Sequence, residues 1–517
     1  MSIFSRILLL TCFSQVLFAQ EYLDQGVDWT TAKRNRFYLE DQGSRIMPYS
    51  WSKALRDPDG QLFFRDSGKR FGLLPNPESA YGLPVGFFVV SDKKNTNLSM
   101  NCAACHTRQI TVDGQEYRID GGPAFVDFHK FFVDLFKAVE YTLSNKDALK
   151  KFAQEVGTSS TGIKTALRKW YTMNYLVYGS TLPSEPWGVG RLDALSNIMN
   201  RVTGAMIGKP PSFLISENVV VADFPVRFPF LWNASRQDLT QWTGSSLNGN
   251  TDYALARNSG EVCGVWGMIH PRGNNFLADN TTNYYGLMNI EALIRKIGPP
   301  AWPWEIDVEK ATQGAKLYED NCSSCHGIKP GKLYDTWSTP VMVVGTDTWY
   351  WKNLSRTAPF SGSLTGRANP ETGMIMPPND ASALALTGLL NVSALTQKFP
   401  WINLNTVTND SNRVPGSYES RVLEGIWASA PYLHNGSVPS LAELLKPASQ
   451  RIKVFQVGPA YDLKNVGLAQ PQPDDAVTST FNASDDLDSG DSNLGHEYGT
   501  DLDPNEKEIL LEYLKTL

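Results

Sequence analysis

Cys102-Ala103-Ala104-Cys105-His106 and Cys322-Ser323-Ser324-Cys325-His326 share the form Cys-x-x-Cys-His. Two thiols at that spacing can add to the two vinyl groups of one porphyrin. The histidine that follows then lies beneath the iron as its proximal ligand, which is the pattern of c-type haem attachment. The chain has six cysteines, and these motifs use all but Cys12 and Cys263. Two Cys-x-x-Cys pairs could instead build a zinc site of four thiolates, but a histidine directly after each pair, in opposite halves of the chain, favours two separate haems. A thioredoxin-type redox pair has no need of that histidine. Cys263 fits the common role of a small buried apolar side chain.

The sixth position of each iron decides the chemistry. A strong sixth ligand gives an electron carrier, and an open position gives a centre that binds dioxygen or peroxide. The remaining histidines are His129, His270, His434 and His496. Met376, in Met374-Ile375-Met376-Pro377-Pro378, follows the second motif as the methionine ligand of a small cytochrome c would, and is a candidate for the second haem. His129 lies at the edge of an apolar helical stripe and reads as a core histidine. His270 precedes Pro271 and reads as a loop residue. The first haem is therefore left without an evident sixth ligand. Residues 228–268 could supply its pocket, with Trp232, Trp242, Glu261 and Trp266 as weak catalytic candidates. Glu261 could serve as the acid–base group that O–O cleavage needs, or could cap a helix; the tryptophans could equally be core.

These groups need elements to hold them. Pro299-Pro300-Ala301-Trp302-Pro303-Trp304 cannot be helix interior, so it marks a linker (299–304) between an N-terminal haem domain (20–298) and a C-terminal one (305–517). Asp307 can cap a helix through Ala311, Gly314, Leu317 and Tyr318 into the second motif. At the C-terminus Asp503, Pro504 and Glu506 form a capping-box pattern ahead of Ile509, Leu510, Tyr513, Leu514 and Leu517. A helix entering Cys-x-x-Cys-His and a terminal helix to cross it resemble the class I cytochrome c fold. In the first domain, residues 83–91 read as turn and strand, and 109–119 as a hairpin around Asp113-Gly114. Phe125, Phe128, Phe132, Leu135, Phe136 and Val139 form a helical apolar stripe. Residues 465–495 read as a solvated loop, and the Asp485–Asp491 cluster lacks the EF-hand calcium pattern. The expected fold is mainly α: two cytochrome c-like haem domains with long loops and a few short strands.

Arg6, the apolar stretch from Ile7 to Phe18 and Ala19 read as an export signal over residues 1–19. Thr11-Cys12 resembles a lipoprotein cleavage box only loosely. No later run is long and apolar enough to cross a membrane. The expected location is periplasmic or secreted. A net charge of −6 and 19% charged residues offer no basic patch for nucleic acid.

Ala430-Pro431-Tyr432-Leu433-His434-Asn435-Gly436-Ser437-Val438-Pro439, preceded by Gly425-Ile426-Trp427-Ala428, resembles the signature of bacterial di-haem cytochrome c peroxidases and methylamine-utilisation di-haem enzymes. The Ser-Val-Pro ending is most similar to the di-haem rubber oxygenases. Leu83-Pro84-Val85-Gly86-Phe87, Arg118-Ile119-Asp120-Gly121-Gly122-Pro123, Asn493-Leu494-Gly495-His496-Glu497-Tyr498-Gly499-Thr500 and Glu512-Tyr513-Leu514-Lys515 carry the same resemblance. It implies two covalent haems. The second would have His326 proximal and His496 distal, ahead of Met376 and then His434 as alternatives. His434, a further weak catalytic candidate, would lie near the second haem or between the two. The first haem would bind dioxygen or peroxide. An apolar substrate and an electron-donor or acceptor protein are the implied partners. A non-catalytic electron-transfer cytochrome is the alternative.

Overall fold

Alternating side chains and tight turns shape the N-terminal part. In the computed structural model the described residues are 20–92, 95–272, 277–354, 358–366, 375–379 and 414–517, so the expected export signal over residues 1–19, Cys12 and Met374 lie outside them. Strand β1 (Glu21–Tyr22) is followed by helix α1 (Thr31–Leu39), β2 (Met47–Pro48) and α2 (Tyr49–Ala54). β3 (Phe87–Ser91) and β4 (Thr96–Met100) join β2 in the order β2-β4-β3. β5 (Thr107–Val112) and β6 (Gln115–Asp120) join β1 in the order β1-β6-β5. At the β5–β6 turn, Asp113 (φ 50°) and Gly114 (φ 83°) are both left-handed, as a two-residue hairpin of this kind requires.

Three helices follow, α3 (Phe128–Ser144), α4 (Lys146–Val156) and α5 (Ser160–Asn174). Each opens on a side-chain cap, from Asp127, Asn145 and Ser159. Phe128, Phe132, Leu135, Phe136 and Val139 are buried along α3. Phe125 precedes the helix and instead lies 4.2 Å beneath the Arg108 guanidinium.

Next come β7 (Arg191–Leu192), α6 (Ala194–Ala205) and β8 (Val226–Arg227), with β7 paired to β8. They are followed by the ribbon β9 (Leu239–Thr240) and β10 (Ser246–Leu247), then α7 (Thr251–Gly264), the ribbon β11 (Ile269–Arg272) and β12 (Leu277–Asn280), and α8 (Tyr284–Ile294).

The C-terminal part has α9 (Val308–Asn321), capped by Asp307, and the short α10 (Ser323–His326). β13 (Val341–Val343) pairs with β14 (Ser417–Glu419) around α11 (Trp349–Leu354). After α12 (Leu441–Leu444), α13 (Pro504–Thr516) begins on a complete Asp503–Glu506 capping box. α13 packs on α9, with the Tyr318 and Tyr513 rings 5.2 Å apart.

The mainly-α expectation is corrected. Helix accounts for 38% of the chain and strand for 15%, the strands spread over many small sheets. The reason is local: long connections that read as loops pair with each other as two-stranded ribbons. Residues 465–495 show this. Gly467–Leu468 pairs with Tyr461–Asp462 and Ser479–Asn482 with Val454–Val457, burying Val466 and Phe481, while Asp485, Asp486 and Asp488 stay exposed.

One apolar cluster runs from Leu23 and Trp29 through Phe230 and Trp232 to Trp427 and Leu514. Within the 299–304 segment, Trp302 and Trp304 lie 5.1 and 5.8 Å from Trp427, and the Pro300 carbonyl accepts from Trp427 Nε1 at 2.9 Å. That segment is a packed seam. Among the described residues no helix is long and apolar enough to cross a membrane.

Candidate haem sites

The first motif sits at the corner between β4 and β5. Cys102–Ala104 forms one 3-10 turn, capped by the Asn101 side chain on the Ala103 amide at 3.0 Å. Gly86 packs against it with φ 76°. A side chain there would collide with the Ala104 backbone, which accounts for glycine in Leu83-Pro84-Val85-Gly86-Phe87. His106 Nδ1 lies 2.9 Å from the Pro229 carbonyl. Nδ1 therefore carries the proton and Nε2 is left as the ligating nitrogen.

Burial, with the Arg421 cation adding to it, lowers the His106 pKa to about 4, so the imidazole is neutral, as a metal ligand must be. Burial raises the Cys102 thiol to about 12, and the Glu261 and Glu291 carboxylates push the same way. Glu261 acts on Cys105 as well. Cys102, Cys105, His106 and Glu261 are each half-buried.

Glu261 projects from α7. Its Oε1 accepts from Gln241 Nε2 at 2.9 Å, and burial raises its pKa against the opposing pull of Gln241 and Arg257. The ring packed on His106 is Phe228, edge-on at 6.0 Å. Among the described residues no second histidine ring faces His106. His129 packs edge-on to Trp187 at 5.3 Å, with Nδ1 unpartnered, and His270 stacks on Phe213 at 4.1 Å.

The second motif is helical, carried by the end of α9 and by α10. His326 Nδ1 lies 2.6 Å from the Arg421 carbonyl, which again leaves Nε2 free. The His496 ring faces His326 with centroids 6.1 Å apart. Two imidazoles on one iron, with metal–nitrogen bonds of about 2 Å, put their ring centres about 6 Å apart.

His496 is held in a left-handed conformation (φ 48°) that costs a non-glycine residue about 1–3 kcal/mol. Arg451 supports it with bonds to the carbonyls of Asn493 (2.6 Å), Gly495 (2.8 Å) and His496 (3.2 Å), and the His496 amide donates to Val344 (2.7 Å). Gly495 (φ 79°) lies directly on the Gly345–Thr346 backbone, where a side chain would collide. Burial, then the neighbouring His326, lowers His496 to about 4.

The other sequence candidates fall elsewhere. Met376 is buried in an apolar cluster with Met206, Ile207, Cys263 and Leu364. His434 is buried, with Nε2 2.9 Å from Asp347 Oδ2 and its ring stacked on Tyr418 at 4.0 Å. Asn435 joins the same carboxylate at 3.1 Å. Trp232 is fully buried, stacks on Phe230 at 4.8 Å and donates to the Glu424 carbonyl at 2.8 Å. Trp266 is buried among Tyr178 and Phe132, its Nε1 unpartnered.

Trp242 lies 4.8 Å from the Arg227 guanidinium and 5.7 Å from that of Arg421. Sequence reading missed Pro229, Arg421, Asp347 and Arg451. The first two act through backbone carbonyls, which no side-chain pattern marks.

No three His, Cys, Asp or Glu side chains converge on a metal-sized point among the described residues, which removes the shared zinc site. At each motif a thiol pair and a neutral histidine with its Nδ1 engaged fit a covalent haem.

Residues 417–456 match the family model described as RoxA-like, cytochrome c-like. That stretch holds Arg421, Trp427 and His434. Over that stretch the chain is similar to a cytochrome c-like domain. Over 96% of its length the chain is 28% identical to the uncharacterised protein y4iJ of Sinorhizobium fredii, covering 93% of that protein. It is 25% identical to the uncharacterised protein y4iM of the same organism over 56% of this chain and 63% of the other.

Proposed function

We propose that the protein is an exported, periplasmic or secreted, di-haem c-type cytochrome oxidoreductase with two unequal haems. Cys102, Cys105 and His106 hold the reactive one. Cys322, Cys325 and His326 hold the other, with His496 in its sixth position. A haem with an open sixth position supplies binding and activation of dioxygen or peroxide, and one between two imidazoles supplies one-electron transfer.

The observation that carries this reading is the imidazole pair 6.1 Å apart at the second motif, whereas among the described residues no second histidine ring faces His106 at the first, where Glu261 acts electrostatically on both cysteines. The Pro229 carbonyl fixes the tautomer and ring plane of His106. Gln241 orients Glu261, and burial keeps a proton on that carboxyl to a higher pH than usual, so Glu261 could hold or move a proton near the first motif.

Turnover tests the reading. Peroxide consumption with an electron donor marks a peroxidase. Cleavage of polyisoprene with dioxygen and no added donor marks an oxygenase of the RoxA kind. No turnover with either, from a protein whose two haems bind no external ligand, leaves an electron carrier.

A further inference from the structure

Arg421 reaches the proximal histidines of both sites with different atoms. Its carbonyl accepts from His326 Nδ1 at 2.6 Å. Its Nη1 donates to the Phe230 carbonyl at 2.9 Å. Phe230 shares a peptide bond with Pro229, whose carbonyl lies 2.9 Å from His106 Nδ1. The guanidinium is held by Glu419, Nε to Oε1 at 2.6 Å, with the two side chains only 8% and 1% exposed. It also packs over the Phe230 ring at 5.1 Å. A short chain of backbone and hydrogen bonds thus runs from one proximal imidazole to the other, with one buried cation at its centre.

We infer that Arg421 is a positioning residue that couples the two proximal histidines, so that a single side chain sets the reduction potentials of both haems. This rests on the two-haem reading above. The basicity of a ligating imidazole follows the hydrogen bond given by its other nitrogen, and at both sites that acceptor belongs to the segment Arg421 holds. A permanent cation away from bulk water also favours the less positive, ferrous state of a nearby iron. A fork that serves Glu419 and Phe230 at once is within reach of arginine, whereas lysine offers a point charge.

The test is a spectroelectrochemical titration of the haem-loaded protein and its R421Q, R421K and E419Q variants, after haem count per chain and thermal melting have been checked. R421Q lowers both couples, each by about tenfold in its reduction equilibrium, which is about 59 mV for one electron. R421K restores part of the shift at both. E419Q leaves the cation unneutralised and raises both couples together, so it carries the test should R421Q fail to fold. Movement of one couple alone, or of neither, overturns the inference while leaving the two-haem reading standing. One haem per chain overturns both.

Discussion

The two haem motifs have the same five-residue form on different supports. The first is a 3-10 turn at a sheet corner, the second the end of a capped helix that α13 braces. Each motif histidine has its Nδ1 on a backbone carbonyl, so the proximal side of each proposed haem would be set alike. The difference lies on the other face. A glycine-flanked loop places His496 opposite His326, and Arg451 holds it in a strained conformation. The first site has Phe228 against its histidine and the buried carboxyl of Glu261 within electrostatic reach of its cysteines. On the two-haem reading proposed above, identical attachment motifs would lead to different iron chemistry, because residues far away in sequence would fill, or leave free, the sixth position.

Removing one site at a time breaks the comparison most severely. C102A/C105A and C322A/C325A each lose one of two haems in a haemochrome assay. The first variant keeps a low-spin haem that ignores carbon monoxide, and the second keeps one that binds it. Identical residual spectra from the two variants would erase the difference. H496A comes next: one low-spin haem becomes high-spin and a second carbon monoxide site opens. An unchanged spectrum would reject His496 as a ligand.

E261Q sharpens the first site alone. Peroxide-dependent turnover falls by about 10²–10⁴, the range for loss of an acid–base group, while haem count and the low-spin spectrum stay as they were. A rate within a factor of two of the parent protein removes Glu261 from the chemistry.

The smallest effect is on stability against pH. Burial raises the Asp193 carboxyl, the cap of α6, from 3.8 to about 8, although bonds from Ser196 and Phe224 oppose the rise. The folded protein keeps that proton after the unfolded chain has released its own. The contribution is therefore full below about pH 4 and is lost as pH rises through about 8. D193N keeps the cap and removes the titration, so its unfolding free energy should fall less between pH 5 and pH 8 than that of the parent. Equal slopes in denaturant titrations would show that Asp193 is ordinary.

What was legible in the sequence was local. Both attachment motifs, the Asp113-Gly114 hairpin, the Asp307 cap and the Asp503–Glu506 box are read within a few residues, and each stands where its pattern put it. The apolar stripe on α3 was readable for the same reason, although Phe125 left it to lie beneath Arg108, a partner from the hairpin. The small sheets were not legible, because two-residue strands such as β7 and β8 are defined by a partner and carry no alternation of their own. Met376 shows the limit of spacing. Its Met-Pro context suggested a ligand, and its apolar packing with Met206 and Cys263 could not be read from that context. The chain Pro229–Phe230–Arg421 was invisible because all three of its contacts end on backbone carbonyls.

The inequality of the two haems is tested most directly by titrating the fully reduced, haem-loaded protein with carbon monoxide while counting haems per chain. Two haems and one carbon monoxide, with the unbound haem remaining low-spin, is the predicted result. Two haems that both bind it, or that both refuse it, would contradict the assignment of an open first site and a His326–His496 second site.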